Sequence, residues 1–182
     1  MAKAPKILLG VTGSIAAYKA AELARLMLKQ KWDVWAVMSA CATQYIGPLT
    51  FRALTGNPVA HGSFAEMEPA TYIHLGLTEG AAAMVVAPCS AQTLARLAHG
   101  FADDVLSAAA LSLAAPLLVA PAMNTRMWQN PAVQENVALL KKRGATIIGP
   151  GTGELACGDL GAGRLAALEE IVQAVARAIG KR

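Results

Sequence analysis

Five short apolar runs recur along the chain, and segments of helical periodicity separate them. The predicted strands are Lys6–Val11, Asp33–Met38, Ala81–Pro88, Pro116–Ala120 and Ala145–Gly149. The predicted helices are Ile15–Lys29, Ala91–Ala98, Asp103–Leu113, Ala132–Lys142 and Leu165–Ile179. Continuous apolar strands that alternate with helices are typical of a parallel sheet that is covered on both faces. We therefore predict an α/β fold with a single doubly wound parallel sheet.

The composition argues against several classes of protein. Hydrophobic residues make up 55% and charged residues 15% of the 182 residues, a balance opposite to that of a disordered chain. The 16 basic and 12 acidic residues give a net charge of +4 and form no long basic stripe, so we expect no nucleic-acid partner. The most apolar stretch, Val105–Met123, is interrupted by Pro116 and Pro121, so we expect no membrane segment. The mild positive charge suits anionic small molecules.

The cysteines and the N-terminus bear on location and metal binding. Cys41, Cys89 and Cys157 are far apart and show no CxxC spacing, so the sequence predicts neither a disulfide framework nor a metal site. No apolar segment with a cleavage site follows Met1. We expect a cytoplasmic protein in which residues 1–182 form one domain.

Polar residues follow the first two predicted strands, where a doubly wound sheet binds its ligands. Thr12, Gly13 and Ser14 follow the first strand and open a helix, so backbone N–H groups and two hydroxyls there suit a phosphate. A tight turn capped by Ser14 explains the same residues equally well. The GxGxxG pattern is absent, and no acidic residue follows the second strand at Ser39–Thr43. These features favour a mononucleotide such as FMN over NAD.

Two later strand ends are further candidates for binding. Ser90 is a natural N-cap, and simple capping is the more common role for such a serine, although Ser90–Thr93 also suits an anion or a ring. Asn124 follows the fourth strand, and its amide can both donate and accept hydrogen bonds to a carboxylate or a flavin edge.

A histidine and a cysteine are candidates for acid–base chemistry. His74 lies in an apolar context, where a histidine is more often a core residue than a base. Cys157 lies in the glycine-rich segment 149–164, which is predicted to be irregular and is of the length of a functional or mobile loop. An inert, small hydrophobic residue is the alternative role for this cysteine.

Together these segments resemble the flavin-containing cysteine decarboxylases over nearly the whole chain. The resemblance begins at Gly10–Lys19 and is most specific at Pro121–Asn124, with Met127 and Trp128, and at Ala156–Asp159, with Gly161, Gly163 and Arg164. Members that act on peptidyl-cysteine share the first motif, whereas the second marks the branch of coenzyme A biosynthesis. The resemblance implies a flavodoxin-like or Rossmann-like three-layer sandwich.

The resemblance also implies a reaction and its residues. The expected reaction is FMN-dependent decarboxylation of 4′-phosphopantothenoylcysteine to 4′-phosphopantetheine by a homotrimer or dodecamer. His74 is expected to assist thiol deprotonation, Asn124 to bind the departing carboxylate and Cys157 to donate a proton. Expected FMN contacts are Gly13, Ser14, Ile15, Ser39, Thr43, Ser90, Ala91, Gln92, Thr93 and Ala122. Expected substrate contacts are Asn124, Met127, Ala156 and Arg164.

The chain departs from the family at the third strand end, where Cys89 and Gln92 replace the usual alanine and asparagine. Pro88-Cys89-Ser90 resembles the flavin prenyltransferases, although those would lack the Asn124 segment. A peptidyl-cysteine decarboxylase would not need Cys157, and a non-enzymatic regulatory relative would have lost part of the catalytic set. Many bacterial members carry a second, ligase domain, so we expect a monofunctional protein or an excised domain.

Overall fold

A computed structural model describes residues 4–62, 73–155, 158 and 160–180, and only the backbone of residues 73 and 74. Its strands are β1 Lys6–Val11, β2 Asp33–Met38, β3 Ala60–His61, β4 Ala81–Cys89, β5 Leu117–Pro121, β6 Thr146–Ile147, β7 Gly151–Glu154 and β8 Leu160–Arg164. Its α-helices are α1 Lys19–Lys29, α2 Pro48–Thr55, α3 Ile73–Thr78, α4 Ala91–His99, α5 Val105–Leu111, α6 Thr125–Gln129, α7 Pro131–Lys142 and α8 Leu168–Ile179. Short 3₁₀ helices cover Ile15–Tyr18 and Ala42–Gln44.

Strands β1 to β6 form one parallel sheet in the order β3-β2-β1-β4-β5-β6. The predicted doubly wound α/β fold is therefore confirmed. The sequence predicts five strands, and the sixth, β3, has only two residues, too few to produce a hydrophobic pattern. Strand β6 is also shorter than predicted, with two residues in place of five.

The sheet is buried on both faces because alternate residues of each strand point to opposite sides. Ile7 and Leu9 of β1 belong to the core under α1, α2 and α8, whereas Leu8 belongs to the core under α3, α4, α5 and α7. The residues of β4 alternate in the same way: Val85 belongs to the core under α1, α2 and α8, and Met84 to the core on the opposite face. This double burial explains why these strands are apolar without alternation.

Three helical segments start directly beyond the ends of β1, β4 and β5. Each start is capped by a side chain that accepts a hydrogen bond from the backbone: Ser14 from Ala16, Ser90 from Thr93 and Asn124 from Arg126. The predicted helix Ile15–Lys29 begins as the 3₁₀ helix Ile15–Tyr18 and continues as α1. Within the described ranges, no helix is long and apolar enough to cross a membrane.

The glycine-rich segment 149–164 is not irregular as predicted, because most of it forms the antiparallel hairpin β7–β8. The hairpin contacts the loop between β5 and α6, where the Met123 N–H donates to the Gly163 carbonyl over 2.9 Å. A Cβ on Gly163 would lie 2.2 Å from the Met123 carbonyl oxygen, and one on Gly161 would lie 2.4 Å from Thr125 Oγ1. The absence of side chains at these two glycines therefore permits the close approach.

We predict that Gly163→Ala loosens the hairpin and lowers the free energy of unfolding by about 1–3 kcal/mol, the usual cost of an added methyl group in a tightly packed place. The φ of +142° at Gly163 adds to the strain. Urea denaturation and limited proteolysis of the hairpin measure the effect. Gly76→Ala is the control, because no atom lies within 4 Å of its added Cβ and its site is helical. Equal stability of Gly163→Ala and the wild type would contradict this account of the docking.

Candidate functional site

A cavity of about 680 Å³ lies at the carboxyl ends of β1, β4 and β5, the edge at which the sequence predicts a ligand. Its volume is in the ordinary range of small-molecule sites. The structure brings together there nine of the expected site residues: Gly13, Ser14, Ile15, Ser90, Ala91, Ala122, Asn124, Met127 and Arg164.

The turn after β1 is fixed by Thr12, which is fully buried. Its hydroxyl donates to the Pro88 carbonyl over 2.8 Å and accepts from the Ser90 N–H over 2.8 Å. The expectation that the Thr12 hydroxyl contacts a phosphate is therefore wrong, because both bonds join the turns after β1 and β4. Ser14 does line the cavity, and its hydroxyl accepts from the Ala16 N–H over 3.3 Å.

Gly13 has a packing role beside its place on the cavity wall. A Cβ there would lie 2.3 Å from Cys41 Sγ, so the turn after β1 packs directly on the segment after β2. In that segment, Ser39 is buried and its hydroxyl accepts from the Ala42 N–H, while the Thr43 hydroxyl donates to the Ala40 carbonyl. Neither Ser39 nor Thr43 lies on the cavity wall, so FMN contacts by these two residues stay a prediction.

The turn after β4 contributes Ser90 and Ala91 to the wall. The Ser90 hydroxyl accepts from the Thr93 N–H over 3.3 Å. Thr93 is buried and does not line the cavity. Gln92 is exposed and also lies off the wall. Cys89 is fully buried, and burial raises the pKa of its thiol well above the usual range, so this cysteine stays protonated and apolar.

The loop after β5 and the hairpin form the far side of the cavity. Ala122, Met123, Asn124 and Met127 lie on one part of it. Asn124 Oδ1 accepts from the Arg126 N–H over 2.8 Å, which anchors this side chain at the start of α6. The hairpin adds, among others, Glu154, Leu155, Gly163 and Arg164.

The proposed acid–base residues are only partly placed. The backbone of His74 lies in α3, one residue after the helix begins, and its side chain lies outside the described part of the chain. Ala156 and Cys157 also lie outside the described residues; in sequence they follow Leu155, which lines the cavity. Roles for these three residues therefore remain predictions. Among the described residues, no group of three or more His, Cys, Asp or Glu side chains could hold a metal ion.

Several wall residues were not predicted as site residues. Tyr18 and Lys19 follow Ile15 at spacings of three and four, which puts the three side chains on one helical face. The signal in the sequence was an aromatic residue off the apolar side of the segment, because Ala20, Leu23, Ala24 and Met27 form the buried side and Tyr18 is exposed. Tyr45 and the hairpin residues Glu154 and Leu155 carried no such signal, since loop packing alone brings them to the cavity.

Comparisons with curated proteins identify relatives along almost the whole chain. A probable phosphopantothenoylcysteine decarboxylase of Streptococcus mutans is 48% identical over 172 residues, which cover 93% of this chain and 96% of the relative. The coenzyme A biosynthesis bifunctional protein CoaBC of Mycobacterium tuberculosis is 44% identical over 166 residues. That match covers 91% of this chain and 39% of the relative, so the chain spans about two fifths of the bifunctional protein.

Solved structures share the fold. A phosphopantothenoylcysteine (PPC) decarboxylase in a cysteine-to-serine variant, complexed with pantothenoylaminoethenethiol, superimposes with a TM-score of 0.84 at 30% identity. The match covers 96% of this chain and 98% of that structure. The FMN-dependent cysteine decarboxylase SpaF superimposes with a TM-score of 0.81 at 31% identity. That match covers 96% of this chain and 97% of the SpaF chain.

The family model described as Flavoprotein matches residues 1–180. The match spans every described element from β1 to α8 and includes the three capped helix starts around the cavity. On this evidence, the chain belongs to the Flavoprotein family.

Proposed function

We propose that residues 1–182 form one FMN-dependent decarboxylase domain that converts 4′-phosphopantothenoylcysteine to 4′-phosphopantetheine in coenzyme A biosynthesis. One observation carries the proposal: a single cavity joins the turns after β1 and β4, the Asn124 loop and the hairpin that leads to Cys157. The 48% identical relative and the PPC decarboxylase structure support this choice of substrate. The match covers 96% of that relative, which supports a decarboxylase domain of about this length.

The residues around the cavity fit FMN. Ile15 and Tyr18 are each 62% exposed and Met127 is 49% exposed, so large apolar side chains on the cavity wall are open to solvent. A planar ring system bound in the cavity would cover them. Within the described residues, the backbone N–H groups of Ser14 and Ile15 donate to no other group, and they are available for a phosphate. Bound FMN supplies a reversible two-electron acceptor, so the overall decarboxylation consumes no external reductant.

The protein's own side chains would bind the substrate and move its protons. An ordinary thiol has a pKa of ~8.5 and an imidazole ~6.5, so His74 suits the removal or sharing of the substrate thiol proton. Asn124, held at the start of α6, offers an amide to the carboxylate that leaves as CO2. Cys157 would return a proton to the carbon that lost the carboxylate, and Arg164 would attract the anionic substrate.

We also propose that the domain works as a homotrimer or dodecamer in the cytoplasm. Exposed apolar side chains extend from the cavity over Ile15, Tyr18, Tyr45 and Leu49, and a second copy would remove them from water. Cys41 and Cys89 are free thiols, as is usual in reducing compartments.

The proposed function predicts that the purified protein binds one FMN per chain and releases CO2 from 4′-phosphopantothenoylcysteine. Absorbance spectroscopy after denaturation measures the flavin, and mass spectrometry identifies the product. Decarboxylation only of peptides that end in cysteine, with an enethiol product, would favour a peptidyl-cysteine decarboxylase instead. A protein that neither carries nor takes up FMN would exclude both.

The two acid–base residues are predicted to act at different stages. Cys157→Ser should still release CO2 but should yield an enethiol lighter than 4′-phosphopantetheine by two hydrogens, with the flavin left reduced by two electrons, because the final proton donor is missing. His74→Asn should release little CO2, because the thiol keeps its proton. Release of ¹⁴CO2 and product mass distinguish the two variants, with FMN content as the control for folding. Normal product from Cys157→Ser at the wild-type rate would remove this cysteine from the reaction.

The assembly proposal predicts a mass of three or twelve chains of 18.8 kDa in solution. Tyr45→Glu should shift the distribution toward monomers, since a buried unpaired carboxylate costs several kcal/mol. Lys31→Glu, at an exposed position after α1, is the matched control. Analytical ultracentrifugation measures the mass. A wild-type protein that sediments as a monomer at micromolar concentration would contradict the assembly.

A further inference from the structure

Lys19 stands in the cavity wall, and no step proposed above uses it. It is the first residue of α1 and is half-buried, on the same helical face as Ile15 and Tyr18. Its ammonium nitrogen lies 5.9 Å from the centroid of the Tyr18 ring, a cation–π distance. Helix α1 is fixed against the sheet by the buried side chains of Ala20, Leu23, Ala24 and Met27, so Lys19 extends from a rigid support.

The charges around the cavity are unevenly placed. The charged residues on its described wall are Lys19, Glu154 and Arg164. Glu154 and Arg164 both belong to the hairpin, and Arg164 lies along it: a Cβ on Gly153 would lie 3.2 Å from Arg164 Nη1. Lys19 makes no ion pair within the described residues. The wall opposite the hairpin therefore presents one ammonium group whose charge is not neutralised by a carboxylate of the described chain.

We propose that Lys19 binds the phosphate monoester of the substrate and thereby selects phosphorylated over unphosphorylated pantothenoylcysteine. This inference rests on the proposed function. The phosphate and the cysteine carboxylate are at opposite ends of an extended substrate, and Asn124 would hold the cysteine end at the loop after β5. The phosphate then needs a cation on another wall, and a lysine ammonium is a common phosphate partner.

FMN brings a second phosphate monoester to the same cavity. Lys19 follows Ser14 by five residues along the helix, whereas the backbone N–H groups of Ser14 and Ile15 are at the turn itself. These N–H groups suit the flavin phosphate without help from a side chain. We therefore assign Lys19 to the substrate.

The test uses Lys19→Gln in the FMN-loaded enzyme, with 4′-phosphopantothenoylcysteine and pantothenoylcysteine as paired substrates. The ratio of their kcat/KM values should fall about 10- to 100-fold, the usual effect of losing a charge-assisted hydrogen bond. The wild-type KM for the phosphorylated substrate should rise with salt, and this rise should be smaller in the variant. Lys29→Gln removes the same charge from the exposed end of α1 and should behave as the wild type.

The outcomes separate this inference from the proposed function. A wild-type enzyme inactive on both substrates would refute the proposed function itself. Wild-type activity with an unchanged substrate ratio in Lys19→Gln would overturn only the role of Lys19. A lower affinity for FMN, measured by fluorescence titration, with an unchanged ratio would assign Lys19 to the flavin phosphate and also overturn the proposal. If Lys19→Gln does not fold, Lys19→Arg replaces it, and a salt-independent wild-type KM overturns the proposal.

Discussion

The buried hydroxyl of Thr12 joins the two turns on which the cavity depends. It donates to the Pro88 carbonyl and accepts from the Ser90 N–H, each over 2.8 Å. These bonds pair two backbone groups at the end of β4, and an unpaired backbone group in the interior costs about 1–3 kcal/mol. They also hold the ends of β1 and β4 together, so that the helix starts at Ser14 and Ser90 line one cavity. The Thr12 hydroxyl therefore fixes the positions of the two turns that line the cavity, although Thr12 itself does not line it.

The opposite wall depends on close backbone contact. The hairpin reaches the loop after β5 because Gly161 and Gly163 have no side chains, and the bond from Met123 to Gly163 fixes the distance between the two backbones. This contact places Arg164 and Leu155 beside the cavity that Asn124 also lines. Two glycines of the segment 149–164 therefore permit close packing of the hairpin against the loop after β5. Composition alone does not distinguish glycines with this packing role from glycines that make a loop flexible.

The sequence predicted most of the central sheet because β1, β2 and β4 are buried on both faces and are continuously apolar. It missed β3, α2, α3, α6 and the hairpin for physical reasons. Strand β3 has two residues, and α3 and α6 have six and five residues, too few for a clear helical period. Helix α2 begins with Pro48 and buries only Phe51, and the hairpin packs on a loop rather than in the core. The strand ends at Ser14 and Ser90 were predictable because capping residues follow apolar runs, and the one at Asn124 because a polar amide follows such a run. The place of Thr12 was not, because its partners lie 76 and 78 residues away in sequence.

The two departures from the family pattern at the third strand end, Cys89 and Gln92, both lie off the cavity wall. Cys89 is buried in the core beside Leu94 and Val119, and its raised pKa keeps it as apolar as the alanine that it replaces. Gln92 points outward from the first turn of α4 and is exposed. The wall at this turn comes instead from Ser90 and Ala91, and the Thr12 bridge fixes the backbone there. The turn after β4, where we propose that FMN binds, can therefore vary at these two positions, because the features that shape the cavity are the backbone path and the Ser90 cap.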